Sequence, residues 1–251
     1  QVFSRRILLA EDGLINQKVA VNLLKQRGHS VVIASNGKEA VVAYQRERFD
    51  LILMDIEMPE MDGQAAAAAI REIEKRKGGR IPIVAMTAHA MKGDRERFLS
   101  MGMDGYIAKP IDVTRLYETV ESIAPAVDEP LNASNETLES ENRFNHDTVL
   151  AAAGGDQEVV RELIELFPVE CKKLCEDIRH AFLHEDFTQL KRAAHTLKGS
   201  LLLFGAQVVA DNALKLEHLA EEAKQEEAKK VWTQLEIDVN QLLLELADML
   251  E

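Results

Sequence analysis

Five polar residues stand where apolar runs stop. Glu11 and Asp12 follow "ILLA", Asp55 closes "LILM", Thr87 ends "IPIVAM" and Lys109 follows "GYIA". Three carboxylates gathered in one place repel one another, and burying any of them costs free energy unless a cation offsets the charge. Mg²⁺ is a hard cation that accepts such oxygens and keeps waters that a phosphate can replace. Beside it, a carboxylate such as Asp55 can attack a phosphoryl group and form an aspartyl phosphate. The Lys109 ammonium and the Thr87 hydroxyl can stabilise the phosphoryl oxygens. Alone, Asp55 reads as a helix or turn cap and Lys109 as a surface lysine before a proline. Their conjunction at four strand ends is what carries the chemical reading.

A second centre rests on one histidine. In "FTQLKRAAHTLKGSLLLFGA", Phe187, Leu190, Ala194, Leu197, Leu201 and Phe204 recur every three or four positions. That is the stripe by which a helix faces a core. Lys191, His195 and Lys198 fall off the stripe and line up with one another, so the imidazole is expected to be exposed. Imidazole is a competent nucleophile toward phosphoryl groups. Lysines one turn away on either side would steady the negative charge it gains. Gly199 leaves room beside the ring, although glycine in a helix interior costs about 1 kcal/mol against alanine. Close approach of another backbone is a reason to accept that cost. Leu202 is a candidate for an apolar docking patch. His89, His146, His180, His184 and His218 lack this setting and read as surface residues.

The strand ends can meet only if the elements are arranged for it. "RILLAED", "HSVVIAS", "DLILMD", "IPIVAMT" and "GYIAKP" each precede an amphipathic stretch. Runs that are apolar at nearly every position fit strands buried on both faces. Strands alternating with helices give a parallel sheet covered on both sides. Its ligand crevice lies at the carboxyl ends of the strands, where the strand order reverses. From Phe144 onward only helical patterns remain, joined by short loops, which predicts an antiparallel bundle. Pro168 is expected to kink or split one of its helices. Between the halves, "APAVDEPLNASNETLESENR" reads as a linker. The expected division is a first domain over residues 1–123, a linker over 124–143 and a second domain over 144–251.

"LAED", "LILMDIEMPEMDG", "AMTAHAM" and "GMDGYIAKPI" resemble, in order and spacing, the response-regulator receiver family over about residues 5–123. The resemblance implies a flavodoxin-like, five-stranded doubly wound sheet with Asp55 as phosphoacceptor. It implies a Mg²⁺ site at Glu11, Asp12 and Asp55, with the backbone carbonyl of Glu57 as a further ligand. It also implies Thr87 and Tyr106 as a switch pair, Lys109 in contact with the phosphoryl group, and a cis bond before Pro110. Two features depart from the family pattern: Gly13 stands where asparagine is usual, and "QAAAAAIR" replaces bulkier polar residues. "AHTLKGS" with "GA" at 205, preceded by "FNHDTVLAAAGGDQEVVRELIELF", resembles a histidine-containing phosphotransfer (HPt) domain, an all-α four-helix bundle. There the resemblance implies His195 as phosphoacceptor, assisted by Lys198 and Lys191.

Composition narrows the function classes. The net charge of −13 argues against nucleic acid as main partner, since phosphate binding needs a basic face. Cys171 and Cys175 read as small core residues in a reduced compartment. No apolar run is long enough to span a membrane, and no signal peptide opens the chain. The chain begins at Gln1 without methionine and reads as a segment of something longer. A receiver followed by a phosphotransfer bundle resembles the C-terminal part of a hybrid sensor histidine kinase. The resemblance implies a cytoplasmic segment of a parent that could be anchored in the inner membrane. Its partners would be a histidine kinase upstream and a response regulator downstream. No ATP-binding kinase segment or DNA-binding output domain is recognisable, so the expected needs are Mg²⁺ and a phosphodonor. Two alternatives stand beside the relay. One is a module that regulates or scaffolds a kinase without internal transfer. The other is a Mg²⁺-dependent aspartyl-phosphate phosphatase, disfavoured because Glu57 stands where such enzymes carry a second aspartate.

Overall fold

The computed structural model describes residues 4–87, 94–122 and 144–248. The segment read as a linker, 124–143, and His89 lie outside the described residues. The chain divides into two compact units, Gln1–Leu131 and Asn132–Glu251.

In the first unit, strands and helices alternate as β1 (Arg6–Ala10), α1 (Leu14–Gln26), β2 (Ser30–Ala34), α2 (Gly37–Arg46) and β3 (Leu51–Asp55). They continue as α3 (Gly63–Lys77), β4 (Ile83–Thr87), α4 (Asp94–Ser100), β5 (Gly105–Ala108) and α5 (Val113–Ser122). The strands form one parallel sheet in the order β2-β1-β3-β4-β5. Burial follows that order. Ile7 to Ala10 on β1 and Leu51 to Met54 on β3 are shut off from solvent, whereas Ile33 on the edge strand β2 is exposed. The order reverses between β1 and β3, so the chain leaves β1, β3, β4 and β5 at one rim of the sheet. Register then sets Ala10 beside Met54, Asp55 beside Met86 and Thr87 beside Ala108. The peptide bond before Pro110 is cis.

The turn after β3 is tight. Asp62 caps α3 by accepting from the Ala65 amide at 2.7 Å, and the Gly63 amide donates to the Ile56 carbonyl at 3.0 Å. A Cβ on Gly63 would lie 2.1 Å from the Asp55 carbonyl oxygen. Backbone, which cannot swing aside like a side chain, blocks any larger residue there.

The second unit is helical: α6 (His146–Ala152), α7 (Gln157–His184), α8 (Phe187–Leu203), α9 (Gln207–Glu221) and α10 (Gln225–Asp248). Asn145, Asp156 and Asp186 cap the first three through their side chains. The last four helices are long and their connections short, as a bundle requires. The predicted stripe on α8 faces the core, with Leu190, Ala194, Leu197, Leu201 and Phe204 all buried. Pro168 does not split its helix: α7 runs unbroken from Gln157 to His184. Proline removes one amide donor, but Leu163, Phe167, Cys171 and Ile178 are buried on both sides of it. The Phe167 ring lies 4.1 Å from that of Phe204. Packing of this kind outweighs one missing hydrogen bond.

Gly63→Ala is expected to destabilise the first unit by about 2–4 kcal/mol, read as a lower urea midpoint in the full chain. An unchanged midpoint would show that the turn opens freely.

Candidate functional site

The sheet rim gathers the predicted residues of the first unit. Glu11 and Asp55 are each 1% exposed and Thr87 is buried, while Asp12 is half-buried. Carboxylate oxygens of Glu11, Asp12 and Asp55 lie within 4.8 Å of one another. Lys109 reaches in from the end of β5, with Nζ 2.7 Å from Asp55 Oδ2 and 2.7 Å from Glu11 Oε2. Burial alone would discharge this ammonium, but the charges of Asp55 and Glu11 prevail and push its pKa above the usual lysine range. The Glu57 amide donates to Asp55 Oδ1 at 3.2 Å, which fixes the carboxylate from the loop side. Three hard oxygen donors in one place fit a Mg²⁺ ion.

Two residues of this site escaped the sequence reading. Asn16 Nδ2 donates to Glu11 Oε1 at 3.1 Å, and Gln17 Nε2 donates to the Glu11 carbonyl at 2.6 Å. Both amides are buried on α1 beside Ile15, Val19 and Ala20. The signal was two amides entering an otherwise apolar helix face. Gly13, where the family pattern has asparagine, gives its own amide to Glu11 Oε1 at 3.2 Å. Tyr106 is half-buried on β5, its ring 5.8 Å from that of Phe98.

In the second unit His195 is not exposed as the pattern predicted; it keeps 6% of its surface. Glu217 of α9 holds the ring against the bundle, with Oε1 2.9 Å from His195 Nδ1. A carboxylate only accepts here, so Nδ1 carries the proton toward Glu217 and Nε2 is the ring nitrogen left on the far side. Lys198 is also buried and donates to Glu217 Oε2 at 2.6 Å, its Nζ lying 3.5 Å from His195 Nδ1. Lys191 reaches Glu221, one turn along α9, at 3.3 Å. Burial alone would raise the Glu217 pKa, but hydrogen bonds and charge from His195 and Lys198 bring it down to about 2. Glu217 was missed because it stands 22 positions from His195 in a helix crowded with other acids. Leu202 is half-buried beyond His195, while Leu201 and Leu203 belong to the core. Cys171 and Cys175 are buried too. Desolvation pushes the first thiol well above its usual range and the second to about 11, so neither is a ready nucleophile.

Residues 7–121 match the response regulator receiver domain and residues 162–251 match the Hpt domain. Hybrid signal transduction histidine kinase I of Dictyostelium discoideum is 45% identical over 152 residues, which cover 58% of this chain and 9% of that protein. Sensor histidine kinase GacS of Pseudomonas protegens is 32% identical over 231 residues, covering 89% of this chain and 25% of that protein. Polar-differentiation response regulator DivK of Brucella anthropi is 37% identical over 118 residues, covering 47% of this chain and 94% of that protein. The chain therefore spans a quarter or less of the length of either kinase.

Lys109→Met leaves Asp55 and Glu11 buried without their cation. In metal-free buffer it is expected to cost about 3–5 kcal/mol, measured by urea unfolding with a chelator present; a wild-type midpoint would mean the charge is offset elsewhere. Glu217 gives a pH signature. Its folded pKa of about 2 lies below the ordinary 4.5, so its contribution is complete above pH 4.5 and is lost as pH falls toward 2. Trp232, the single tryptophan, is buried in α10 and reports unfolding of the bundle. Glu217→Gln should start up to about 3 kcal/mol less stable at neutral pH and lose less on acidification. Parallel pH curves for the two proteins would show that Glu217 titrates normally.

Proposed function

We propose that this chain, which belongs to the response regulator receiver family through residues 7–121 and carries an Hpt domain over residues 162–251, passes a phosphoryl group from Asp55 to His195. The segment is a phosphorelay segment by its two domain types and its hybrid-kinase relatives. On this reading the working domains are residues 1–123 and 144–251, joined by 124–143. Asp55 is charged by a histidine kinase, and His195 delivers to the aspartate of a separate response regulator. One observation carries the reading. Each domain holds a nucleophile against a buried lysine–carboxylate pair, Asp55 beside Lys109 and His195 beside Lys198 and Glu217.

In the first step an oxygen of Asp55 attacks the phosphorus of a phosphohistidine. A P–O bond forms, the P–N bond breaks, and its electron pair goes to the donor imidazole, which takes up a proton. Lys109, already 2.7 Å from Asp55 Oδ2, follows the charge onto the phosphoryl oxygens, and the Thr87 hydroxyl donates to another. Glu11, Asp12, Asp55 and the Glu57 carbonyl would hold Mg²⁺, which when bound neutralises the phosphoryl charge. Thr87 and Tyr106 are the pair through which the phosphorylated state is felt at β5.

In the second step His195 Nε2 attacks the acyl phosphate. A P–N bond forms, the P–O bond breaks, and the Asp55 carboxylate is released. Glu217 accepts from Nδ1–H and stabilises the positive charge that grows on the ring. Lys198 balances Glu217, so the site does not repel the incoming phosphoryl group. Leu202 belongs to the apolar surface on which a receiver would dock. Among the described residues no helix is long and apolar enough to cross a membrane.

The test is to charge wild type, Asp55→Asn and His195→Gln with a histidine kinase, Mg²⁺ and ATP, then locate the label by its acid and base lability. The relay requires label on His195 only when Asp55 is intact. Equal labelling of His195 in Asp55→Asn would mean that the two domains serve separate partners. Binding of the kinase with no label on either residue would favour a scaffold. Turnover of small phosphate esters at Asp55 would favour a phosphatase.

A further inference from the structure

The end of the sheet away from Asp55 carries a second feature. A cleft of about 650 Å³ opens between the loop entering β3 and the loop entering β4, a volume within the range of small-molecule sites. Four cations line it: Arg46, Arg48, Lys77 and Arg80. Its two carboxylates are already engaged. Glu47 pairs with the Arg6 guanidinium, and Asp50 accepts from the Arg6 amide at 2.7 Å. Among the described residues the side chains of Arg46, Arg48 and Lys77 make no hydrogen bond or ion pair. Arg80 gives one nitrogen to Asp104 at 2.7 Å while its side chain stays 59% exposed. The cleft is thus a cationic island on a chain whose net charge is −13.

Its walls are fixed independently of any occupant. Glu74 accepts from the Ile81 amide at 2.6 Å, and Arg71 donates to the Ile81 carbonyl at 2.8 Å. The Ile52 amide donates to the Pro82 carbonyl at 3.0 Å. Gly78 and Gly79 line it at φ +76° and +92°, with nothing within 4 Å of where a Cβ would stand at either. Tyr44 and Phe49 add aromatic surface inside.

We propose that this cleft binds a nucleotide-sized organic polyanion, with Arg46, Arg48, Lys77 and Arg80 taking its phosphate or carboxylate groups. Arginine forks match both kinds of oxygen bidentately. A long nucleic acid would have to cross the acidic remainder of the surface; a compact anion meets only the island. The five residues of β3 separate the cleft from Asp55, about 15 Å of strand, so the site is distinct from the phosphorylation centre.

Calorimetry on the full chain without Mg²⁺ tests this, with ATP, pyrophosphate and citrate as probes. At least one probe is expected to bind with a Kd below about 1 mM at low salt, and binding should weaken as salt is raised. The double variant Arg48→Glu/Lys77→Glu should weaken it by about tenfold or more, while Asp55 labelling, which uses neither residue, verifies the fold. Tighter binding of pyrophosphate than citrate assigns phosphate as the anchoring group, and the reverse order assigns carboxylate; both sustain the proposal. No binding by any probe at about 5 mM, or equal binding by wild type and variant, overturns it.

Discussion

A buried ammonium held 2.6–2.7 Å from a buried carboxylate is the constraint on which both halves of this protein depend. Neither partner is tolerable inside without the other. A buried carboxylate alone takes up a proton and stops being a nucleophile or a ligand, and a buried lysine alone discharges. In the first unit Lys109 lets Glu11 and Asp55 coexist at a rim where each is 1% exposed. In the second, Lys198 and His195 together let Glu217 stay ionised under the bundle surface. Much else in the fold serves to bring these groups into register. The sheet order places β1 and β3 side by side with β4 and β5 beyond, and Gly63 lets the chain turn away directly behind Asp55.

The first unit was largely legible because its signals are of one kind. Fully apolar strands flanked by helices can only be a covered parallel sheet, and in such a sheet every strand ends at the same rim. Polar residues at four strand ends therefore had one place to go. What periodicity hid was the support beneath them. Asn16 and Gln17 fall among buried positions of α1, but an amide on a helix reads as solvent-facing until its partner is known. That partner, Glu11, is fixed by the turn at Gly13, whose amide also bonds to Glu11.

The second unit was legible along each helix and not between helices. The α8 stripe named Leu190, Ala194, Leu197, Leu201 and Phe204, which are buried, but it left His195 and Lys198 to solvent, and the structure buries both. Their burial comes from α9, whose Glu217 and Glu221 stand one turn apart and meet cations of α8 in antiparallel sequence, Lys198 with Glu217 and Lys191 with Glu221. That pairing depends on the three residues between α8 and α9 and on how the two helices cross. Neither is a periodic property of the sequence. The continuity of α7 through Pro168 has the same origin, because local propensity says stop while the buried faces on both sides say continue.

On the proposed relay the two nucleophiles need opposite help, and the residues around them differ accordingly. As the proposed acceptor, Asp55 is an anion that would receive an anionic phosphoryl group, so its neighbours have to remove negative charge: an ammonium, and a carboxylate cluster suited to a divalent cation. On the same proposal His195 would attack as a neutral ring that becomes positive on bonding to phosphorus, so a carboxylate at Nδ1 is an advantage there and would be a liability at Asp55. Glu217 unpaired would repel the phosphoryl group that the proposal brings to His195. Lys198, bonded to the far oxygen of that carboxylate at 2.6 Å, cancels the repulsion without releasing the ring. In the proposed relay the same kind of lysine–carboxylate pair would thus prepare an anionic acceptor in one domain and a neutral one in the other, the difference being which partner faces the phosphoryl group.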